Sequence, residues 1–161
     1  DSQDVKIFFA RKGRIRRYKH GVNLKLCDLQ AEYLTEELEI SKNSIIIDVG
    51  ANVGEFSKFW SNKGHRVVAF EPDLVEFKVL ELNNPNDTNY NVGLWDTNDV
   101  LRFYLNNDSG DSSLLPESQN GDFIELEVKK LDDDNSFRLG VEVSASYSNL
   151  RFSVINIFST K

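Results

Sequence analysis

The chain has 161 residues, 40% of them hydrophobic, which is enough to bury one hydrophobic core. Its formal net charge of −7 argues against nucleic acid as the main partner. No apolar run approaches the ~20 residues of a membrane-spanning helix, so we expect no membrane partner. Because Cys27 is the single cysteine and cannot form an internal disulfide, we expect a reducing, cytoplasmic compartment.

The first 40 residues are predicted to form an appendage of a strand and a helix. Residues 5–9 are apolar and indicate a short strand. Residues 11–20 are strongly basic, and we interpret them as a solvated arm or a charged strand edge. A contact with a phosphate or a nucleotide sugar is the alternative interpretation.

Two more elements are predicted in this appendage. Val22, Leu24 and Leu26 alternate with polar residues and indicate a strand. Asp28 is expected to cap a helix that follows it. The apolar face of that helix would consist of Leu29, Tyr33, Leu34, Leu38 and Ile40.

Residues 44–56, with the sequence SIIIDVGANVGEF, are the most informative part of the chain. The three isoleucines predict a buried parallel strand, followed by a glycine loop and a helix, which is how open α/β sheets build a nucleotide-type cofactor site. Gly50 and Gly54 let the backbone turn sharply and approach a ligand, and Asn52 tolerates the left-handed conformation. Asp48 stands at the carboxyl end of the strand, where such sheets bind ligands.

Acidic residues indicate which cofactor this site would take. A dinucleotide-binding fingerprint has glycine where Glu55 stands, at the start of a helix whose free N–H groups would otherwise bind a pyrophosphate. Glu55 and Asp48 therefore favour a ligand with positive charge, and S-adenosylmethionine has an ammonium, a sulfonium and no phosphate. Glu71 ends the next predicted strand, roughly 20 residues after Asp48, where an acidic side chain binds ribose hydroxyls.

Two helices are predicted beyond the glycine loop. The first directs Phe56, Phe59 and Trp60 toward the sheet and ends at Gly64. The second begins at the D-x-x-E capping pattern of residues 73–76 and ends at an Asn-Asn-Pro sequence. Its buried face would consist of Leu74, Phe77 and Leu80.

Later strands extend the predicted sheet. A third strand is expected at 89–92, and two antiparallel strands with one wet face at 100–105 and 123–129. Gly93 and Leu94 lie at the exit of the third strand. We predict that their backbone contacts the adenine of the cofactor.

The motif IIIDVGANVGEF, followed by VVAFEPD, resembles the FkbM-type S-adenosylmethionine-dependent methyltransferases. The resemblance extends over roughly residues 22–133, through 80–84, 89–96 and 128–133. It implies a Rossmann-like class I methyltransferase fold and O-methylation, often of sugar or polyketide hydroxyls. It also implies that Asp48, Gly50, Asn52 and Gly54 hold the methionine end and that Glu71 binds the ribose. Ala51 and Pro72, beside them, are predicted to contact the cofactor as well.

One element departs from the family pattern. The family signature K-x-D-V-E-G-A-E is absent, and its nearest counterpart lies at 137–145. There Gly140 replaces the aspartate and Val143 replaces the glycine. The departure favours an inactive or binding-only relative as an alternative, and it leads us to expect a fragment or a domain without some internal segments.

We predict one methyltransferase-like α/β domain over 1–161, with a mostly parallel sheet, helices on both faces and an antiparallel hairpin toward the C-terminus. It would consist of the appendage at 1–40, a cofactor-binding βαβαβ core at 44–96, and antiparallel strands with an atypical C-terminal part at 97–161.

The predicted function is S-adenosylmethionine-dependent O-methylation of a hydroxyl on a small molecule or glycan. A nicotinamide-dependent oxidoreductase on the same fold is a second alternative, against which Glu55 argues. No metal site is expected, since His20 and His65 lack ligand spacing. The residues assign no catalytic group, and the oligomeric state stays open.

Overall fold

The computed structural model describes residues 5–32, 44–106, 112, 114, 122–131 and 156–158. The predictions for 33–40 and 137–145 lie outside these residues. In chain order, the elements are a 3₁₀ helix (Lys12–Tyr18), α1 (Val22–Glu32), β1 (Ile45–Val49), α2 (Glu55–Asn62), β2 (Arg66–Phe70), α3 (Leu74–Asn83), β3 (Thr88–Tyr90), β4 (Gly93–Leu94), β5 (Asp99–Tyr104), β6 (Phe123–Lys129) and β7 (Asn156–Phe158).

The first sheet has the strand order β3-β2-β1-β7. Strands β1, β2 and β3 are parallel, as the sequence predicts, and β7 pairs antiparallel with β1. In the register of β1 and β2, Ile47 lies opposite Val68 and Asp48 opposite Ala69. The carboxyl ends of the three parallel strands therefore share one edge of the sheet, which is the edge where the glycine loop begins.

The two faces of this sheet are covered differently. Ile46 and Val67 pack against α1 and α2, whereas Ile47 and Val68 contact a layer that includes Leu94. We expected helices on both faces, but the helices among the described residues pack against one. The strands β1, β2 and β3 advance in one direction across the sheet, and right-handed crossovers then place α2 and α3 on the same side.

The predicted antiparallel hairpin is confirmed, but it forms a sheet of its own. Strands β5 and β6 pair antiparallel, and β4 pairs parallel with β6, which gives the order β4-β6-β5. The residues of β4, together with Leu131 after β6, cover the second face of the first sheet. The second sheet therefore joins the core through Leu94 of β4 and through Leu131, which follows β6.

The N-terminal predictions need correction. Residues 5–9 form no strand, and α1 replaces the strand predicted around Leu24. The alternation was misleading because Leu26 and Leu29 also have helical spacing; both are buried, whereas Leu24 is 57% exposed. Asp28 lies inside α1 rather than at its cap.

The basic segment of residues 11–20 also differs from its prediction as a solvated arm. It forms the 3₁₀ helix, and Arg14 and Tyr18 within it are buried. Only part of the segment is therefore solvated.

The two helices after the loop follow their predictions more closely. Phe56 and Trp60 are buried, and Gly64 ends α2 with a φ of +86°. The Asp73 carboxylate caps α3 by accepting the Val75 N–H at 2.9 Å. Leu74 is the exception, since it is 51% exposed and lines a surface cleft instead of the core.

Leu80 and Leu82 offer a matched test of this packing. Leu80 is fully buried against Ala51 and Ala69, whereas Leu82 on the same helix is 66% exposed. We expect Leu80→Ala to lower the free energy of unfolding by about 2–5 kcal/mol and Leu82→Ala by less than about 0.5 kcal/mol. Urea titration of both variants measures the difference, and equal losses would contradict the position of α3.

Candidate functional site

The loop between β1 and α2 has an unusual backbone. Gly50, Asn52 and Gly54 have φ values of +74°, +53° and +79°. Asn52 is the one non-glycine residue with positive φ in the part of the chain that the structure describes. The predicted conformational roles of these three residues are confirmed, and the loop turns tightly at the carboxyl edge of the sheet.

The end of β2 holds the first half of the loop. The N–H groups of Gly50 and Ala51 both donate to the Phe70 carbonyl, at 2.9 and 3.0 Å. The next residue, Glu71, accepts the Asn52 N–H at its Oε2 and the Asp73 N–H at its Oε1, each at 2.7 Å. One carboxylate thus joins the loop to the start of α3.

Glu71 is buried, with 4% of its surface exposed. Burial raises its pKa from 4.5 to about 8, although the two backbone N–H donors act in the opposite direction. Burial therefore disfavours the ionised form of Glu71, which is the form in which a glutamate best accepts ribose hydroxyls. A ligand that donates further hydrogen bonds would stabilise that form.

Asp48 is the second buried carboxyl group of the site, at 1% exposure. Its Oδ2 accepts the Ser57 hydroxyl of α2 at 2.7 Å, and its Oδ1 has no hydrogen-bond partner among the described residues. Burial raises the pKa of Asp48 from 3.8 to about 6, against the effect of the Ser57 hydrogen bond. Neither Asp48 nor Glu71 forms an ion pair with a described residue.

Two asparagines at the predicted stop of α3, within the 80–84 stretch of the family resemblance, support the second half of the loop. The Asn83 Nδ2 donates to the Val53 carbonyl at 2.6 Å, and the Asn84 Nδ2 donates to the Gly54 carbonyl at 2.9 Å. The two side-chain amides therefore connect consecutive loop carbonyls to the end of α3, and the Gly54 carbonyl also accepts the Lys58 N–H, at 2.9 Å, as α2 begins. Nothing in the sequence pattern linked the end of α3 to this loop.

The structure corrects the predicted role of Glu55. Its Oε1 accepts hydrogen bonds from Arg14, at 3.0 Å, and from the Tyr18 hydroxyl. The negative charge of Glu55 is therefore compensated within the protein. It gives no reason to reject a phosphate-bearing ligand.

Gly93 and Leu94 form β4, an edge strand of the second sheet. A Cβ on Gly93 would lie 3.0 Å from the Val128 side chain and 3.1 Å from that of Leu126, so packing against β6 explains the glycine. Their contact with adenine stays a prediction.

Pro72 borders a cleft of about 380 Å³. The cleft begins beside Glu71, because Asn91 in its wall donates its side-chain N–H to the Glu71 carbonyl at 2.8 Å. Its other lining residues come from α3, the end of β3 and strand β6: Leu74, Tyr90, Val92, Ile124, Leu126, Glu127 and Lys129.

Gly54 and Gly64 allow the close packing of the loop to be tested. Both have positive φ, but a Cβ on Gly54 would overlap Asn84 and Leu80, whereas one on Gly64 would meet no atom within 4 Å. We expect Gly64→Ala to cost about 1 kcal/mol of stability and Gly54→Ala about 2 kcal/mol more. Urea unfolding measures both, and equal destabilisation would show that the loop does not pack against α3.

The raised pKa of Glu71 predicts how stability depends on pH. Between pH 4.5 and about 8 the folded chain keeps a proton that the unfolded chain releases, so stability falls as pH rises through this window. We expect a loss on the order of 1 kcal/mol per pH unit between pH 6 and 8, above the titration of Asp48.

Urea unfolding between pH 6 and 8 tests this dependence. Glu71→Gln should flatten the loss of stability, whereas Glu81→Gln, at an exposed position on α3, should leave it unchanged. An unchanged slope in Glu71→Gln would contradict the proton on Glu71.

Two negative findings concern the described residues. None of their helices has the length and apolar character that crossing a bilayer requires. Their His, Cys, Asp and Glu side chains form no group of three or more that could hold a metal ion.

Comparison with known proteins places the chain in a family. No curated protein and no solved structure matches it significantly. The family model described as the methyltransferase FkbM domain matches residues 48–145. The match begins at Asp48, includes the glycine loop, Glu71 and the hairpin, and covers more than half of the chain. The chain therefore belongs to the FkbM methyltransferase family.

Proposed function

We propose that this chain binds S-adenosylmethionine at the loop of residues 48–54 and at Glu71, and transfers the methyl group to a hydroxyl of a small molecule or sugar. One observation carries the proposal. Two buried carboxyl groups, Asp48 and Glu71, flank a preformed loop at the carboxyl edge of a parallel sheet, and no described cation compensates either of them. A ligand that brings a cation and hydroxyl donors would satisfy both.

The residues present fit this cofactor. The Asp48 Oδ1 is a buried acceptor without a described partner, which an ammonium donor would satisfy with a charge-assisted hydrogen bond. The space beside Gly50 is open, since a Cβ there would meet no atom within 4 Å. Each Glu71 oxygen accepts one backbone N–H and has capacity left for a ribose hydroxyl.

The cleft beside Pro72 supports a site for the adenine. Its volume of about 380 Å³ is within the range of small-molecule sites. Its wall combines apolar side chains with the amide of Asn91, a lining suited to a flat heteroaromatic ring. Asn91 in its wall donates to the main-chain carbonyl of Glu71 at 2.8 Å, so the cleft adjoins the residue that we propose for the ribose.

When bound, S-adenosylmethionine would supply a methyl group on a positively charged sulfur: the acceptor oxygen would take the methyl group as the carbon–sulfur bond breaks, leaving S-adenosylhomocysteine, and the hydroxyl proton would pass to water. The contribution of this chain would be to bind and align the reactants, since alignment alone can lower a barrier by several kcal/mol. Asp48 would orient the amino-acid end, and Glu71 would orient the ribose.

A binding-only relative is the second candidate. The altered signature at 137–145, with Gly140 and Val143 in place of the family's aspartate and glycine, favours it. Cofactor binding without methyl transfer to any screened acceptor would identify such a protein.

Calorimetric titration with three adenosyl ligands tests the site. S-Adenosylmethionine and S-adenosylhomocysteine carry the ammonium group, whereas methylthioadenosine has the ribose but no amino-acid end. We expect Asp48→Asn to lower the affinity for S-adenosylmethionine and S-adenosylhomocysteine by about tenfold or more. Its affinity for methylthioadenosine should equal that of the wild type. We expect Glu71→Gln to weaken all three.

Glu81→Gln, an exposed change on α3, and NAD, a dinucleotide, are the controls. Wild-type affinity in both Asp48→Asn and Glu71→Gln would contradict the site. Binding of NAD in preference to the adenosyl ligands would favour an oxidoreductase, and silence of a folded chain toward all four would refute cofactor binding.

A further inference from the structure

The N-terminal segment 8–18 contacts the candidate site at three points, although it precedes the residues that the family model matches. The first contact runs through Asn83. The Phe8 N–H donates to the Asn83 Oδ1 at 2.8 Å, and the Asn83 Nδ2 donates to the Phe8 carbonyl at 3.1 Å. The same Nδ2 donates to Val53 in the glycine loop. One amide therefore connects the segment to the loop.

The second contact is at the start of α2. Arg14 and Tyr18 both donate to Glu55, the residue that directly follows the loop. All three side chains are buried, with 5%, 9% and 5% of their surface exposed. This contact fixes where the loop ends and α2 begins.

The third contact is at the start of α3. Arg11 pairs with Asp73, at 2.9 Å, and with Glu76. Asp73 is the N-cap of α3, accepts a further hydrogen bond from Ser112 at 3.3 Å, and donates its own N–H to Glu71. Arg11 therefore supports the residue that holds one oxygen of the Glu71 carboxylate.

The charges explain why these contacts matter. Glu55, Asp73 and Glu76 are at most 5% exposed, and buried carboxylates without compensation are strongly destabilising. Arg11 and Arg14 provide that compensation. Without them, the starts of α2 and α3 would have to move apart or toward water.

We propose that residues 8–18 form a positioning strap that holds the glycine loop and the starts of α2 and α3 in the arrangement that receives the cofactor. Arg11 and Arg14 are the positioning residues of this strap, and they act through Asp73 and Glu55. The strap's effect on cofactor affinity rests on the proposed function, whereas its effect on the position of the loop is independent of that function.

Hydrogen–deuterium exchange of the full chain, without ligand, tests the strap directly. Arg11→Gln and Arg14→Gln should speed exchange of the loop N–H groups at residues 50–54 by about tenfold, while β1 and β2 keep their protection. Arg16→Gln is the matched control, because Arg16 is exposed on the same 3₁₀ helix and the substitution removes the same positive charge.

Three outcomes would overturn the strap: loop exchange that does not change, an equal change in Arg16→Gln, or an equal loss of protection across the whole sheet. Tyr18→Phe removes one hydrogen bond to Glu55 and keeps the ion pair. It gives the same test in a milder form if either arginine variant does not fold.

Titration with S-adenosylmethionine then measures the consequence for binding. Arg14→Gln should weaken affinity by about tenfold, Arg14→Lys should restore most of it, and Arg16→Gln should match the wild type. A wild-type chain that binds no adenosyl ligand would refute the proposed function, while the exchange experiment would still decide on the strap. Full affinity in Arg14→Gln would refute the strap's role in binding.

Discussion

The site depends on the two hydrogen bonds that the carboxyl group of Glu71 accepts. This group accepts the N–H of Asn52 in the glycine loop and that of Asp73 at the start of α3, so it joins two elements that follow different strands. Each bond satisfies a backbone donor that the local conformation leaves free. The loop is held before any ligand arrives, and a preorganised site loses less entropy on binding.

The buried acidic groups around Glu71 form two sets, those with a compensating arginine and those without a described cation. Arg11 and Arg14 compensate Glu55, Asp73 and Glu76, and these contacts stabilise the scaffold. Asp48 and Glu71 have no such compensation among the described residues, and burial raises the pKa of both. The arginines thus compensate the carboxylates at the starts of α2 and α3, whereas the two carboxyl groups of the proposed cofactor site have no described cation beside them.

The parts of the fold that sequence reasoning found are those with local signals. The isoleucines of β1, the glycine loop and the capping residue Asp73 each fit one local conformation, and their elements formed where we expected them. The prediction of a strand around Leu24 was wrong, because the spacing of the apolar residues there fits a strand as well as a helix. Leu26 and Leu29 pack against α2, and this contact favours the helix over the strand. A local sequence pattern does not reveal such a contact.

The sequence by itself determined the parallel βαβαβ order, the positive φ values of the loop and the placement of Asp48 and Glu71 at strand ends, because each follows from neighbouring residues. Only the tertiary structure decided that Arg14 neutralises Glu55, that Asn83 and Asn84 hold the loop, and that the basic segment reaches the site. Those contacts join residues far apart in the chain. Their formation depends on how helices and sheet pack, which no short stretch of sequence specifies.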